Sequence, residues 1–359
     1  MELLRPHAEI TYAKELKALA KADKYPRPQG WQLSPRAVVD YILGTQLDKK
    51  TTISTKYFGD RRLIEVAVAS LVTDRALLLV GVPGTAKTWV SEHLAAAISG
   101  NSTLLVQGTA GMSEESLRYG WNYARLLAEG PSEAALVPSP VMLAMQRGSM
   151  VRVEELTRMP SDVQDALITI LSEKILPVPE LNQEIAAQRG FNLIATANDR
   201  DKGVNELSSA LRRRFNTVQL PLPATLEEEV AIVADRSQAA AEAMQLPQIK
   251  QDPTAELTRL VTIFRELRSG RTEDGRTQLK QPSSTLSTAE AISVVNQGRA
   301  LAVHFGTKSD ELQASDLADS LLGAIIKDAQ QDEPVWREYL DVVMRNRKGW
   351  EEWYEVLKK

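Results

Sequence analysis

The spacing of apolar and polar residues divides the chain into two regions. In the first region, short and nearly continuous apolar runs are typical of buried strands. They alternate with stretches in which apolar residues recur at helical spacing. Strands that alternate with helices predict an α/β fold. The predicted strands are 76–80, 103–106, 150–153, 191–198 and 218–220.

The second region begins after the Pro-Leu-Pro stretch at 221–223 and contains few strand signals. Thr225 and Glu228 predict a capping box at the start of a helix. A stretch rich in Gly, Thr, Gln and Arg at 269–284 predicts a loop. The remaining predicted helices of this helical region are 256–268, 287–305 and 314–329.

The sequence predicts helices near both ends of the chain, and we expect them to have different roles. Near the N-terminus, a charged helix is expected at 9–21, and Ser34 followed by Pro35 predicts the start of a second, better-packed helix. We interpret this extension as a docking or assembly element. At the C-terminus, Trp350 and Trp353 fall on one helix face, which either packs internally or binds a partner. We favour internal packing.

Residues 81–88 read Gly-Val-Pro-Gly-Thr-Ala-Lys-Thr and join the first predicted strand to a helix, which is the context of a phosphate-binding loop. Gly81 and Gly84 allow backbone N–H groups to turn toward an anion, and the helix start adds its positive dipole end. Lys87 is expected to reach the terminal phosphates, and the Thr88 hydroxyl to bind Mg²⁺. An ordinary strand-to-helix turn is the alternative, but Lys-Thr at this offset argues against it. The candidate nucleotide-binding residues are Gly81, Val82, Pro83, Gly84, Thr85, Ala86, Lys87, Thr88 and Trp89.

Two other strands end in residues that can act on a bound phosphate. Glu154 and Glu155 follow the third strand, and strand alternation sends their side chains to opposite sides unless the strand has already ended. We expect Glu154 to bind the metal and Glu155 to face the water that attacks the γ-phosphate. Asn198 ends the fourth strand and can position that water; its alternative role is simply to end the strand with a turn.

Residues 108–148 combine glycine, proline and aromatic residues, and predict an insertion or a pair of loops outside the core. Trp121 and Tyr123 are expected to be exposed there. A run of three arginines at 212–214 is either a solvated basic end or a means for one subunit to present a cation to its neighbour's nucleotide.

Composition narrows the class of protein. The chain has 359 residues, of which 43% are hydrophobic and 25% charged, as in soluble globular proteins with more than one domain. The net charge of −4 argues against a general nucleic-acid binder, and the absence of cysteine excludes thiol chemistry. No apolar stretch reaches membrane-spanning length and the N-terminus lacks a signal-peptide pattern, so we expect no membrane association and a cytoplasmic location.

Together these motifs resemble the AAA+ ATPases, and among them the MoxR group. Residues 81–88 are similar to the group's Walker A motif, including Ala86, and 154–160 resemble its Walker B, although the family pattern has aspartate where Glu154 stands. Residues 195–198 are similar to the sensor 1 strand. Residues 211–215 resemble the segment that carries the arginine finger, with Arg214 as the first candidate and Arg213 as the second. The likeness extends over about 63–223 and more weakly beyond.

The resemblance implies a P-loop NTPase (AAA+) α/β fold with a parallel sheet core, an N-terminal helical extension and a C-terminal helical lid. It implies ATP and Mg²⁺ as cofactors and a homo-oligomeric ring, usually a hexamer, with sites shared between subunits. It also implies chaperone-like work on a protein client, commonly with a von Willebrand A domain partner, and an insertion, 108–123, that faces the pore or the client. The expected domains are 1–60 (extension), 61–223 (nucleotide binding), 224–330 (lid) and 331–359 (aromatic and charged C-terminal helix).

One departure leaves alternatives open. Where the family's lid offers a sensor 2 arginine, residues 285–290 read Thr-Leu-Ser-Thr-Ala-Glu, so coupling between nucleotide and lid is weak or uses another residue such as Arg271. A nucleotide-gated scaffold with little turnover is therefore a second reading. A ring motor acting on nucleic acid is a third, supported only by local arginine clusters.

Overall fold

The computed structural model describes residues 3–198, 205–246, 249, 253–306 and 311–358. The chain divides into two compact units, one made of Met1–Val82 and Ala86–Pro221 and the other of Pro83–Thr85 and Leu222–Lys359. The predicted extension, 1–60, begins with two residues outside the described part. Among the described residues, no helix combines the length and apolarity that crossing a bilayer requires.

A five-stranded parallel sheet forms the centre of the first unit. Its strands are β1 (Ala76–Gly81), β2 (Leu105–Gln107), β3 (Met150–Glu154), β4 (Asn192–Asn198) and β5 (Phe215–Gln219). They lie in the order β5-β1-β4-β3-β2. The predicted α/β fold with a parallel sheet core is therefore confirmed. The second and fifth strands occupy 105–107 and 215–219, a few residues from the predicted 103–106 and 218–220.

The register of the sheet brings the polar strand ends to one edge. Asn198 at the end of β4 lies beside Gly81 at the end of β1, and Gln107 at the end of β2 lies beside Glu154 at the end of β3. Because parallel strands share a direction, their carboxyl ends meet at this edge, which is where ligands bind in open α/β sheets.

Helices cover both faces of the sheet. The helices of this unit are α1 (Ala8–Thr11), α2 (Ala13–Ala22), α3 (Pro35–Leu43), α4 (Arg61–Val72), α5 (Lys87–Ser99), α6 (Tyr123–Glu129), α7 (Pro140–Arg147), α8 (Ser161–Glu173) and α9 (Ser209–Arg212). The predicted start of α3 is confirmed: the Ser34 side chain accepts from the Ala37 amide and Pro35 is the first helical residue. The described residues of this unit also form three antiparallel hairpins, Thr45–Gln46 with Thr52–Ile53, Tyr119–Trp121 with Leu136–Pro138, and Ile175–Val178 with Gln183–Ala186.

Alternate residues of β1 point into different apolar clusters, as strand geometry requires. Leu77 and Leu79 pack in one cluster with side chains of α3, α4 and α5, whereas Ala76 and Leu78 pack in another with side chains of α7 and α8. Tyr41 of α3 is completely buried in the first of these clusters. The N-terminal extension therefore contributes to the core of the first unit.

The second unit is helical. Its helices are α10 (Leu226–Ala243), α11 (Thr254–Ser269), α12 (Thr288–Phe305), α13 (Ala314–Ile325), α14 (Ala329–Val342) and α15 (Glu351–Leu357). The capping box of Thr225 and Glu228 is confirmed at the start of α10. The helix predicted at 314–329 is confirmed at its start but ends at Ile325, because the chain leaves the helical conformation there and Asp328 caps a new helix by accepting from the amides of Gln330 and Gln331.

Buried side chains, among them Glu229 and Trp353, link the helices of this unit. Glu229 of α10 is fully buried and accepts hydrogen bonds from Arg265 and Arg268 of α11 and from Thr288 of α12. Burial raises the pKa of such a carboxyl, but the hydrogen bonds and charge of Arg268 outweigh it, so the pKa of Glu229 lies below its ordinary value. Trp353 of α15 is buried in the apolar core of the unit, which confirms the internal packing expected for the aromatic tail.

Candidate nucleotide-binding site

The loop between β1 and α5 contains two residues in the left-handed conformation. Gly84 adopts a φ of +83°, and Ala86 a φ of +62°, both in the left-handed region. For an alanine this conformation costs roughly 1–2 kcal/mol. Strain of this kind persists where the surrounding structure demands it, commonly at functional sites. Ala86 thus holds the turn for which the strict motif uses glycine.

Lys87 is the first residue of α5 and is 6% exposed. Its Nζ donates to the carbonyl oxygens of Gly81 at 2.9 Å and Val82 at 3.0 Å. These bonds hold the ammonium group inside the turn formed by the loop. A fixed cation at the start of a helix, where the helix dipole is also positive, attracts phosphate.

Glu154 ends β3 and is 1% exposed. Its Oε2 accepts from the hydroxyl of Thr88 at 2.9 Å and from the hydroxyl of Thr196 at 2.6 Å. Its Oε1 accepts from Arg152 Nη2 at 2.9 Å and from the hydroxyl of Ser91. Four donors on three elements therefore hold one buried carboxylate beside the loop.

Glu155 leaves the strand, because its φ of +55° places it in the left-handed region. This turn, not strand alternation, separates its carboxylate from that of Glu154. The Asn198 side-chain amide donates to both carboxylate oxygens of Glu155, at 2.9 and 3.2 Å. The side chain of Glu155 is 26% exposed, so one of the two glutamates is enclosed and the other can meet water.

The oxygen atoms of Thr88 and Glu154 are suitable ligands for a magnesium ion. The Thr88 hydroxyl and the Glu154 carboxylate are hard ligands, which Mg²⁺ prefers. The part of the chain that the structure describes holds no group of three or more His, Cys, Asp or Glu arranged to bind a metal alone. Mg²⁺ ordinarily uses one or two carboxylates together with phosphates and waters, so this donor set fits it.

Comparison with known proteins identifies the family. A model for the AAA domain of the dynein-related subfamily matches residues 76–215, and a model for the YehL-like AAA+ ATPase C-terminal domain matches residues 227–358. Uncharacterized protein YehL of Escherichia coli is 39% identical over 359 residues, which are 99% of this chain and 97% of that protein. The chain belongs to the YehL-like family of AAA+ ATPases. The resemblance to AAA+ ATPases related to the MoxR group is thereby confirmed.

More distant proteins resemble parts of this YehL-like chain. Uncharacterized protein SH1500 of Staphylococcus haemolyticus is 27% identical over 170 residues, which cover 47% of this chain and 64% of that protein. The crystal structure of NtrX from Brucella abortus in complex with ADP matches with a TM-score of 0.50 at 15% identity, covering 79% of this chain and 57% of that one. At this identity the match shows the AAA+ fold alone.

The two candidate arginine fingers of this AAA+ domain have different surroundings. Arg214 donates to the Ser172 hydroxyl at 2.8 Å and to the Ala210 carbonyl at 2.7 Å. Arg213 is exposed, and no hydrogen bond or ion pair joins its side chain to another described residue. Arg214 is therefore engaged within its own chain, whereas the guanidinium of Arg213 faces solvent.

The insertion is a hairpin that carries a helix at its tip. The expectation that its aromatics are exposed is wrong for Trp121, which is partly buried against the core and meets Tyr119 edge to face at 5.9 Å between ring centroids. Tyr119 itself is buried and donates to Glu180 at 2.8 Å, and burial with this bond raises the pKa of Tyr119 to about 12. Tyr123 is 62% exposed, as expected, and Leu127 on the same helix is 88% exposed.

Sequence reasoning missed three residues of the site, namely Ser91, Arg152 and Thr196. Arg152 could have been recognised from the sequence, because an arginine inside an apolar strand needs buried hydrogen-bond and charge partners. Ser91 lies one helical turn beyond Lys87 on α5, and Thr196 lies two residues before Asn198 on β4. Serine and threonine are common in both settings, so neither was distinguishable without the fold.

Proposed function

We propose that this chain is an ATP hydrolase that works as a ring of identical subunits, usually six in related proteins, and remodels a protein client. The observation that carries the proposal is the arrangement of Lys87, Glu154 and Glu155 at one edge of the sheet, with Asn198 on the second carboxylate. ADP in the NtrX structure that shares the fold supports an adenine nucleotide.

Each group has a role in this proposal. The loop amides and Lys87 bind the phosphates, and Thr88 and Glu154 hold the magnesium ion. When bound, Mg²⁺ neutralises charge that develops on the phosphates. Glu155 accepts a proton from the attacking water, and Asn198 directs the Glu155 carboxylate toward it. An ATP-driven machine works where ATP is supplied, so we propose the cytoplasm as its location.

The ring and the client are further parts of the proposal. The exposed Arg213 supports a site shared with a neighbouring subunit, because a solvent-facing cation on one subunit can reach the γ-phosphate held by the next. The exposed Tyr123 and Leu127 on α6 support the insertion as the surface that meets the client. A von Willebrand A domain protein as partner rests on the resemblance to the MoxR group.

A second candidate function is a nucleotide-gated scaffold with little turnover. The contact between Asn198 and Glu155 favours it, because an amide that occupies both oxygens of the carboxylate competes with the water that the base must activate. In that case ATP binding alone would change the assembly.

ATP turnover and assembly, measured together, separate these functions. We expect the purified chain to assemble with ATP, as followed by light scattering, and to hydrolyse it without added nucleic acid. Assembly without turnover would favour the scaffold. Turnover that appears only with DNA or RNA would favour a nucleic-acid motor over the remodeller.

A further inference from the structure

Arg152 is a cation inside a buried strand. It lies in the middle of β3 and is 3% exposed. A buried charge is costly unless it is paired and hydrogen-bonded. Its guanidinium meets this requirement with several acceptors, the Ser91 hydroxyl at 3.1 Å, the Ser102 carbonyl at 3.2 Å, the Thr88 carbonyl at 3.2 Å and Glu154 Oε1 at 2.9 Å.

Ser91 connects this arginine to the same carboxylate oxygen. Its hydroxyl accepts from Arg152 Nε and lies within hydrogen-bond distance of both Glu154 Oε1 and the Thr88 carbonyl. A hydroxyl has one proton to donate. The ionised carboxylate is the stronger acceptor, so the proton goes to Glu154.

The four donors divide the Glu154 carboxylate into two halves. Arg152 and Ser91 donate to Oε1, whereas the hydroxyls of Thr88 and Thr196 donate to Oε2. Oε2 is thus the oxygen beside the other proposed magnesium ligand. Glutamate has one more rotatable bond than the aspartate of the family pattern, so its carboxylate needs more restraint to present one oxygen.

We infer that Arg152 and Ser91 are positioning residues for Mg²⁺ binding, which act by holding Oε1 of Glu154 so that Oε2 faces the metal beside Thr88. The inference rests on the proposed function, since it requires that a nucleotide with its metal binds at the loop. The proposed role of both residues is to act through Glu154 and not as ligands of the metal or the nucleotide. Partners that orient a metal ligand are typically worth about 10–100-fold in metal affinity.

Metal affinity in the presence of nucleotide tests the inference directly. Mn²⁺ replaces Mg²⁺, and its binding to the full chain with a non-hydrolysable ATP analogue is followed by electron paramagnetic resonance. We expect Ser91→Ala to weaken Mn²⁺ binding by about 10-fold or more. Affinity for the analogue in EDTA should stay unchanged, because the loop and Lys87 are intact.

A matched control separates positioning from loss of a buried hydroxyl. Ser70 of α4 is 5% exposed and donates to the Val66 carbonyl at 2.8 Å, in a part of the unit that supplies no site residue. Ser70→Ala should leave Mn²⁺ affinity at the wild-type value. Arg152→Lys keeps the charge but not the planar guanidinium. Its Mn²⁺ affinity should lie between those of the wild type and Arg152→Met.

The outcomes distinguish the inference from the function on which it rests. If Ser91→Ala binds Mn²⁺ as tightly as the wild type, or loses affinity for the analogue equally in EDTA, Ser91 is only structural and the inference is wrong. If the wild type binds the analogue neither with Mn²⁺ nor in EDTA, the proposed function fails, and the inference fails with it.

Discussion

The side-chain amide of Asn198 donates to both carboxylate oxygens of Glu155, with Nδ2 at 2.9 and 3.2 Å from them. The two residues come from the ends of adjacent strands, β4 and β3. The left-handed turn at Glu155 directs its carboxylate toward the amide. Asn198 therefore fixes the direction of the proposed base before any substrate binds.

Replacement of this asparagine should slow turnover without weakening nucleotide binding. Asn198→Ala removes the side-chain amide that orients Glu155, so we expect kcat to fall. The fall should be smaller than the contribution of a positioned base, which is about 10²–10⁴-fold. Asn198→Asp should be more severe, because it places two carboxylates together. Steady-state kinetics with a separate measurement of ATP affinity checks both. A loss of ATP affinity with kcat unchanged would mean that Asn198 acts on binding instead.

Lys87→Ala should abolish nucleotide binding, because it removes the cation that the loop holds for the phosphates. Titration with a fluorescent ATP analogue measures this. The same change also removes hydrogen bonds to the loop, so a control is needed. Lys174→Ala serves, since Lys174 also donates to a backbone carbonyl, that of Asp74, but away from the loop. Unchanged affinity in Lys87→Ala would contradict the phosphate-loop assignment.

The loop and the strands around it could be predicted because their signals are local. The residues of 81–88 are contiguous, and glycine, lysine and threonine at fixed offsets have a direct chemical meaning. The same holds for the N-cap at Ser34 and the capping box at Thr225, which depend on neighbours within three residues.

The remaining features depend on contacts between distant parts of the chain. The donors around Glu154 come from α5, β3 and β4, and only the sheet order brings them together. Trp121 was expected to be exposed because its surroundings are rich in glycine and proline, but its packing against Tyr119 and the core is tertiary. The preference between Arg213 and Arg214 likewise depends on where Ser172 lies.

A mixing experiment should identify the arginine that reaches a neighbouring site. Since Arg214 is engaged with Ser172 and Ala210, we now expect Arg213→Ala to be the change that removes the transferred cation, which can be worth about 10³–10⁵ in rate. Arg213→Ala and Lys87→Ala subunits, each inactive alone, should recover ATP hydrolysis when mixed.

Two further variants make this experiment decisive. Arg212→Ala, at an exposed position beside Arg213, should keep activity. Arg214→Ala should lower the melting temperature, because it removes two hydrogen bonds within the chain. Complementation by Arg214→Ala instead of Arg213→Ala would restore the first candidate drawn from the sequence. No recovery from either pair, with assembly and subunit exchange verified, would contradict a shared site.

Two aromatics of the insertion, Trp121 and Tyr123, should differ in their effects on stability and on the response to a client. Trp121→Ala is expected to cost about 1–3 kcal/mol of stability, because the ring is partly buried against the core. Tyr123→Ala should leave the melting temperature unchanged, since its side chain is exposed, and should weaken the response of ATP turnover to a client. Thermal melting of both variants measures the first effect. A destabilised Tyr123→Ala would contradict its assignment to a working surface.

In the proposed mechanism Glu155 is the base that accepts the proton of the attacking water, and Glu154 binds the metal. The measurement that tests it is steady-state ATP hydrolysis by the wild type, Glu155→Gln and Glu154→Gln, each with its ATP affinity. We predict that Glu155→Gln binds ATP as the wild type does but hydrolyses it about 10²–10⁴-fold more slowly, because an amide cannot accept the proton of the attacking water. Glu154→Gln should lose the dependence of ATP binding on Mg²⁺. A Glu155→Gln variant that hydrolyses ATP at the wild-type rate would contradict the assignment of Glu155 as the base.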